Sequence, residues 1–220
     1  MLQPILEATQ RRVAALPPLA TLRAQADAAP PVRDFAASLR SPGLQVIAEI
    51  KRRSPSAGLL APDLDPARQA VAYVAGGAAA ISVLTEPDFF GGSLDDLRSV
   101  RSAARVPVLR KDFVLDARQI WEARAAGADA VLLIVAVLGE NLGRLLAVAA
   151  EAGVAALVEV HAEAEAAAAL AAGASIVGVN NRDLTTFVTD LAVAERMVGH
   201  IPLETVRIAE SGVSDVAGAG

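Results

Sequence analysis

The stretch that decides the fold runs from Val46 to Pro55 and reads V-I-A-E-I-K-R-R-S-P. Its first half predicts a β-strand. Side chains alternate between the two faces of a strand, so Glu49 and Lys51 share one face at its end. Two charges among apolar neighbours are costly unless they are paired or used. The stretch therefore predicts a strand that brings a carboxylate and an ammonium to a site. The alternative is an exposed edge strand that ends in a solvated charge run.

Length and composition bound the class of protein. The chain has 220 residues, of which 54% are hydrophobic, a formal net charge of −5 and no cysteine. These values fit one large domain or two small ones and exclude a disulfide framework and thiol chemistry. The negative charge argues against a broad nucleic-acid surface, and no apolar run suits a membrane span. With no signal peptide pattern, we expect a cytoplasmic monomer without nucleic-acid or membrane partners.

Lysine is rare in this chain. Of the 20 basic residues besides histidine, 18 are arginine and two are lysine, Lys51 and Lys111. A buried lysine can give up a proton near neutral pH, whereas arginine cannot easily do so. Unless they survive by chance, the two lysines are therefore candidates for proton transfer, imine formation or a compact positive charge.

The order of apolar segments predicts the architecture. Residues 1–43 predict an N-terminal helical extension with breaks at Pro17–Pro18 and Pro30–Pro31 and no chemistry of its own. From residue 44 onward, short apolar runs alternate with helix-period segments, which is typical of βα units. Joints such as Ala126–Gly127–Ala128 precede several strands and place glycine as a left-handed helix stop. The predicted strands are 45–51, 79–84, 106–112, 129–135, 154–160, 175–180 and 206–210, and the predicted helices are 66–75, 93–104, 116–126, 140–152, 162–172 and 190–199.

Seven such units predict an α/β fold, a (β/α)8 TIM barrel over residues 44–220 whose last βα unit is missing. Only ten residues follow Glu210, whereas a final unit needs about 30. We therefore expect a chain that is truncated before strand eight. A doubly wound Rossmann-type sheet is the alternative architecture. It would need a glycine-rich loop after its first strand, where Arg52–Arg53–Ser54–Pro55 stands.

Polar residues recur at the ends of strands that are otherwise apolar. In a barrel the active site forms at the carboxyl ends of the strands, and a purely structural barrel would fill these layers with apolar side chains. Carboxylates and lysines that come together in a water-poor cavity shift one another's pKa values, which is the condition for separate acid and base roles. The candidates are Glu49 and Lys51 on strand one, Lys111 with Phe113 on strand three, Glu159 and His161 on strand five, Asn180 and Arg182 on strand six, and Glu210, Ser211 and Gly212 on strand seven.

Further positions could bind parts of a ligand. Phe89, after strand two, could form a wall for an aromatic substrate. Ser54 and the pair Ser211–Gly212 could bind a phosphate, because hydroxyl and backbone N–H groups at loop-to-helix starts suit an anion. These positions favour a small phosphorylated molecule as the ligand.

The motif V-I-A-E-I-K-R-R-S-P-S resembles the signature of the indole-3-glycerol-phosphate synthase family. The resemblance continues through S-V-L-T-E-P-D-F-F-G-G, V-L-R-K-D-F, A-L-V-E-V-H, V-N-N-R-D-L and I-A-E-S-G, and spans nearly all of residues 35–215. It implies ring closure of 1-(2-carboxyphenylamino)-1-deoxyribulose 5-phosphate with loss of CO2 and water. It also implies that the reaction needs neither a metal nor an organic cofactor. Family members continue into an eighth strand whose loop completes the phosphate cradle. Without it we expect lower stability and affinity, and weak or absent activity.

The resemblance also implies a role for each candidate residue. Lys111 would be the general acid that protonates the substrate carbonyl as the ring closes, and Glu159 the partner in the later dehydration. Glu49 would support the acid–base network, and Lys51 would orient it or meet the substrate carboxylate. In the remaining roles, Asn180, Arg182 and Glu210 bind and position the substrate, Ser54, Ser211 and Gly212 approach the phosphate, and Phe89 and Phe113 pack on the anthranilate ring.

Other functions remain open on the residues themselves. Another phosphosugar barrel, such as an imine-forming aldolase that uses Lys51 or Lys111, would leave a covalent adduct after borohydride trapping. The related isomerase of the same pathway needs a cysteine in its acid–base pair, and this chain has none. A truncated barrel that only binds a partner would fold without forming an indole product.

Overall fold

The computed structural model describes residues 2–183 and 188–212. Three helices come first, α1 (Leu2–Ala14), α2 (Leu19–Asp27) and α3 (Phe35–Leu39). The predicted proline pairs separate them, because a residue before proline is disfavoured in helical conformation. The prediction of a helical N-terminus is confirmed, and the division into domains at residue 43 stays a prediction.

Seven strands then alternate with helices. Within the described residues the strands form one sheet, their neighbours are all parallel, and their order follows the chain. A doubly wound sheet reverses its strand order at a switch point, so the Rossmann-type alternative is wrong. The strands are β1 (Ile47–Ile50), β2 (Ala80–Leu84), β3 (Val108–Lys111), β4 (Ala130–Ile134), β5 (Ala155–Val160), β6 (Ile176–Asn180) and β7 (Val206–Glu210). The helices are α4 (Pro66–Ala75), α5 (Pro87–Phe90), α6 (Leu94–Ala103), α7 (Ala117–Ala126), α8 (Val135–Leu138), α9 (Leu142–Glu151), α10 (Glu163–Ala171) and α11 (Ala192–Met197).

Local sequence signals set the ends of these elements. Asp65 caps α4 by accepting hydrogen bonds from two backbone N–H groups, and Gly127 ends α7 with a φ of 93°. The predicted strands agree with the observed ones to within two residues at each end. The predicted loop after β1 instead contains a short hairpin, Arg53–Ser54 with Gly58–Leu59. The predicted helix 140–152 begins as a 3-10 turn, Gly139–Asn141, before α9.

The sheet is curled like a barrel wall. Its inner side carries an apolar layer that includes Leu109 and Leu157, and its outer side packs beneath the helices. Strands β3 and β7 lie four strand spacings apart, which is about 19 Å in a flat sheet. Their side chains nevertheless meet, because Lys111 Nζ lies 2.7 Å from Glu210 Oε2. The predicted α/β barrel fold is therefore confirmed, with its strand carboxyl ends converging on one side. The predicted joint at 216–220 lies outside the described residues.

At the opposite end of the barrel, the buried carboxylate of Asp129 accepts hydrogen bonds from three segments. Asp129 accepts hydrogen bonds from the Arg33 backbone N–H and Arg101 Nη1, both at 2.6 Å, and from the Val108 N–H at 2.8 Å. These contacts join the segment after α2 to the sheet. None of the helices in the described ranges combines the length and the apolar composition that a bilayer crossing requires.

Candidate active site

A cavity opens at the carboxyl ends of the strands. Apolar residues of the strands form its floor, and α1 contributes Leu2 and Ile5 to one side. Charged and polar side chains from five strands and the loops that follow them face the same space. Among its lining residues are Glu49, Lys51, Ser54, Phe90, Lys111, Phe113, Leu132, Ile134, Glu159, Asn180, Arg182 and Ser211.

Lys111 joins the charged residues of this cavity. Its Nζ lies 2.7 Å from Glu210 Oε2 and 3.8 Å from Glu49 Oε2. Burial lowers the pKa of Lys111, but the carboxylates of Glu210, Glu49 and Glu159 raise it by more, so the pKa lies well above its usual value. The side chain is therefore an ammonium at neutral pH, placed as a hydrogen-bond and proton donor.

Glu49 and Lys51 form an ion pair at the end of β1. Burial raises the pKa of Glu49, but Lys111 and Lys51 together lower it by more, and the pKa lies below its usual value. Strand β1 is an edge strand within the described sheet, as one alternative expected. Its two charges nevertheless pair with each other and line the cavity, so the run does not simply end in solvated charges.

Two further carboxylates of the site have their pKa values shifted in opposite directions. Glu159 is 2% exposed, and its Oε1 accepts a hydrogen bond of 3.0 Å from Asn180 Nδ2. Burial raises the pKa of Glu159, but His161, Lys111 and Asn180 lower it by more. Burial also raises the pKa of Glu210, and there Lys111 offsets the effect only in part. The two carboxylates thus differ in how readily they take up a proton, which suits separate acid and base roles.

Two of the three predicted phosphate-binding residues line the cavity. Arg182 lines the cavity, and its backbone N–H donates to Asn180 Oδ1 at 2.9 Å. Ser54 and Ser211 also line it, whereas Gly212 is not among the lining residues. Ser211 has a φ of 66°, in the left-handed region that a residue with a side chain seldom adopts. Such backbone is typical of functional sites.

The aromatic residues that line the cavity are Phe90 and Phe113, and the packing of Phe89 on a substrate ring stays a prediction. The ring centroids of Phe90 and Phe113 are 6.3 Å apart, and both residues line the cavity, whereas Phe89 does not. The alternation of β2 does not reach this segment, because Glu86, two residues beyond the strand, caps α5, in which each residue turns by about 100°. The sequence signal for this change was Glu86 followed by Pro87, a helix start.

Helix α1 contributes contacts that sequence reasoning missed. Arg12 Nη1 lies 2.6 Å from Glu86 Oε1, and Arg12 Nη2 lies 3.2 Å from Asp112 Oδ1. Glu86 is fully buried and caps α5, which carries Phe90, and Asp112 directly follows Lys111. The expectation that the extension has no role in the chemistry is therefore incomplete, because α1 lines the cavity and binds two of its wall segments.

We expect Arg12→Met to lower the free energy of unfolding by about 1–3 kcal/mol, the usual cost of leaving a buried charged or polar group without its partner. Chemical denaturation measures this change. Arg11→Met is the matched control, because Arg11 is the exposed neighbour on the same helix, and it should change stability by less than about 0.5 kcal/mol. Equal effects of the two substitutions would contradict the assigned contact.

A second cavity lies between α1, the loop after β3 and α8. Gln10, Asp116 and Asn141 are among its lining residues, and neither lysine is. Within residues 2–183 and 188–212, no three histidine, cysteine or acidic side chains are placed to share a metal ion. The charged cavity at the strand ends is therefore the candidate active site.

Comparison with known sequences agrees with the motifs of this cavity. The family model of indole-3-glycerol phosphate synthase matches residues 2–219. An indole-3-glycerol phosphate synthase of Mycobacterium ulcerans is 54% identical over 217 residues, which is 97% of this chain and 80% of the relative. An indole-3-glycerol phosphate synthase 2 of Streptomyces coelicolor is 55% identical over 195 residues, 88% of this chain and 76% of the relative.

Comparison with solved structures agrees with the fold. The N-acetylmannosamine-6-phosphate 2-epimerase of Clostridium perfringens superposes with a TM-score of 0.63 at 15% identity, covering 86% of each chain. A thiamine phosphate pyrophosphorylase of Pyrococcus furiosus superposes with a TM-score of 0.51 at 18% identity, covering 70% of each chain. At these identities the likeness concerns the barrel architecture alone.

Proposed function

Because the chain belongs to the indole-3-glycerol phosphate synthase family, we propose that its charged cavity closes the indole ring with Lys111 as the proton donor. The activity is that of a carboxy-lyase in tryptophan biosynthesis. It converts 1-(2-carboxyphenylamino)-1-deoxyribulose 5-phosphate into indole-3-glycerol phosphate, CO2 and water. The observation that carries the assignment is an ammonium held by carboxylates from other strands beside an aromatic wall.

Lys111 is the group that meets the substrate carbonyl. Ring closure forms a bond between the ring carbon that bears the carboxylate and the ketone carbon, and the carbonyl electron pair moves to oxygen. A neighbouring ammonium stabilises that developing alkoxide and then protonates it. An amine with a raised pKa suits this step, because it stays protonated until a strongly basic oxygen forms beside it.

The carboxylates of the cavity have separate roles in the steps that follow ring closure. Loss of CO2 returns the bonding electron pair to the ring, and the new hydroxyl then leaves with a proton as water. Glu159 is the partner in that dehydration, and Glu49 supports the acid–base network. Lys51 orients Glu49 or meets the substrate carboxylate. Glu210 positions the substrate and holds Lys111 through their 2.7 Å contact.

The other lining residues bind the two ends of the substrate. Phe90 and Phe113 pack on the anthranilate ring, and the packing of Phe89 on that ring stays a prediction. Asn180 and Arg182 position the carbon chain of the substrate that joins its aromatic ring to its phosphate. Ser54, Ser211 and Gly212 approach the phosphate, whose charge also suits the Arg182 guanidinium.

Turnover of the purified chain tests this assignment. We expect indole fluorescence to rise when the chain meets its substrate, and we expect chelator and added cofactor to leave the rate unchanged. A folded chain that forms no indole product at high enzyme concentration would overturn the proposal. Circular dichroism on the same sample separates that result from misfolding.

An imine-forming aldolase needs a neutral amine as its nucleophile. The carboxylates around Lys111 hold it in the ammonium form, which disfavours that alternative. We expect borohydride treatment with a carbonyl substrate to leave the mass of the chain unchanged. A stable adduct on Lys111 or Lys51 would favour the aldolase.

We propose further that the chain acts in the cytoplasm as a monomer on a small phosphorylated substrate. Light scattering after size exclusion should give a mass near 22.5 kDa. Twice that mass would contradict the monomer.

A further inference from the structure

His161 is a partly buried histidine that the proposed mechanism leaves unused. It follows β5 directly, two residues after Glu159, and 14% of its side chain is exposed. Its Nε2 lies 3.2 Å from Glu159 Oε1, and its Nδ1 lies 3.4 Å from Glu165 Oε2 on α10. The His161 backbone N–H also donates to Glu165 Oε2 at 2.8 Å. The ring therefore lies between a carboxylate of the cavity and a carboxylate of the outer helix.

The charges that face His161 favour its protonated form. Burial lowers the pKa of the ring, but Glu159 of β5 and Glu165 of α10 raise it by more, to about 9. Beyond Glu159 stands Lys111 of β3, whose own contact is with Glu210 at 2.7 Å. Within the described residues, the cation in ion-pair contact with Glu159 is therefore the His161 imidazolium.

We propose that His161, held by Glu165, is a positioning residue that aims the Glu159 carboxylate and keeps it ionised. This inference rests on the proposed function, because it assigns a purpose to Glu159 in the dehydration step. Asn180 holds Glu159 Oε1 by a hydrogen bond without adding charge. His161 adds a positive charge at the same oxygen, and Glu165 Oε2 lies within ion-pair distance of the far side of the ring. In many active sites a reacting group is held by a partner side chain whose own orientation is set by a third group.

His161→Gln tests the charge of the ring while it keeps a polar side chain. We expect kcat to fall about tenfold with KM within about twofold, because a displaced catalytic group affects the reaction step more than binding. The acid limb of the kcat profile should move up by about 1 pH unit, since an opposite charge within about 4–6 Å lowers a carboxyl pKa by about 1–3 units. A purely structural role would not move that limb.

Glu165→Gln tests the same arrangement from the outer side. Without that carboxylate the pKa of His161 should fall below about 9, although Glu159 still raises it. The ring then loses its charge at a lower pH than in the original chain. We expect the activity of the variant to decline at a lower pH on the alkaline side and to approach the original rate in acid.

The chain offers a matched control pair, of which Glu163 lies on the same helix as Glu165. His200 and Glu163 form a similar pair, with His200 Nε2 lying 3.5 Å from Glu163 Oε1, but both side chains are more than half exposed. His200→Gln and Glu163→Gln should leave the rate and both pH limbs unchanged. If the acid limb of the kcat profile moved as far in either control as in His161→Gln, the proposal would be overturned.

A measurement without turnover separates this proposal from the proposed function. Carbon NMR of labelled glutamate carboxyls follows the titration of Glu159 directly. We expect its pKa to rise in His161→Gln and to stay unchanged in His200→Gln. An unchanged Glu159 titration would overturn the positioning role even in an active enzyme, whereas an inactive original chain with the expected NMR shift would overturn only the proposed function.

The stability of the chain should show the same ion pair. The folded pKa of His161 is about 9 and the unfolded value is about 6.5. The stabilisation from its charge is therefore complete below about pH 6.5 and is lost as the pH rises through about 9. Denaturation curves of His161→Gln should lack that part of the alkaline decline.

Discussion

Lys111→Met is expected to lower kcat for indole formation by about 10³-fold, since the substitution removes both proton donation and charge stabilisation at the carbonyl oxygen. The side chain that replaces the ammonium is similar in length but carries no charge. Glu210 then loses its contact at 2.7 Å and should take up a proton, because burial already raises its pKa. Stopped-flow or steady-state indole fluorescence measures the loss.

Lys111→Arg is the companion variant that separates charge from proton transfer. Arginine keeps the positive charge beside Glu210 and Glu49 but gives up a proton poorly. We expect it to fold and to bind substrate, while kcat stays at least about 100-fold below the original value. If Lys111→Met kept a tenth of the original kcat, Lys111 could not be the general acid.

Gly178→Ala is expected to lower kcat by about 100-fold, although Gly178 is not itself among the catalytic residues. A Cβ at this position would lie 2.1 Å from Glu210 Oε1 and 3.0 Å from Leu157 Cδ1. The Glu210 carboxylate must then move, and Lys111 Nζ moves with it. Displacement of a reacting group by about 1 Å can cost about 100-fold in rate. We also expect a loss of about 1–3 kcal/mol in the free energy of unfolding from overpacking.

Gly143→Ala is the control for this substitution. Gly143 lies in the first turn of α9, and an added Cβ there meets nothing within 4 Å. Alanine should leave kcat unchanged and preserve or slightly raise stability, because it is the better helix former. A shorter carboxylate should relieve the collision at Gly178, so adding Glu210→Asp should recover part of the lost stability. Normal kcat in Gly178→Ala would show that the Lys111–Glu210 contact is dispensable.

Much of the fold was predictable because buried parallel strands are short apolar runs with clear ends. Residues 206–210 were predicted as a strand, and β7 has those bounds. Gly127, Gly153 and Gly173 all have positive φ before the next strand, as the repeated joint predicts. The scarcity of lysine was a chemical signal of the same kind, since both lysines line the cavity.

The rest depends on contacts that sequence spacing does not encode. Arg12 and Glu86 are 74 residues apart in the sequence, and no local pattern indicates that they form an ion pair. Phe90, rather than Phe89, lines the cavity because the chain changes from strand to helix at Pro87, and the two periods place different residues inward. The pair His161–Glu165 does carry a signal in the sequence, a spacing of four residues at the start of a helix.

The most direct test of the central claim is a crystal structure of this chain with a substrate analogue whose ketone is reduced to an alcohol. The alcohol oxygen stands where the carbonyl oxygen would be protonated. We expect this oxygen to lie about 3 Å from Lys111 Nζ, with the aromatic ring against Phe90 and Phe113. An analogue bound in the charged cavity with that oxygen beyond about 6 Å from Lys111, too far for direct proton transfer, would contradict it.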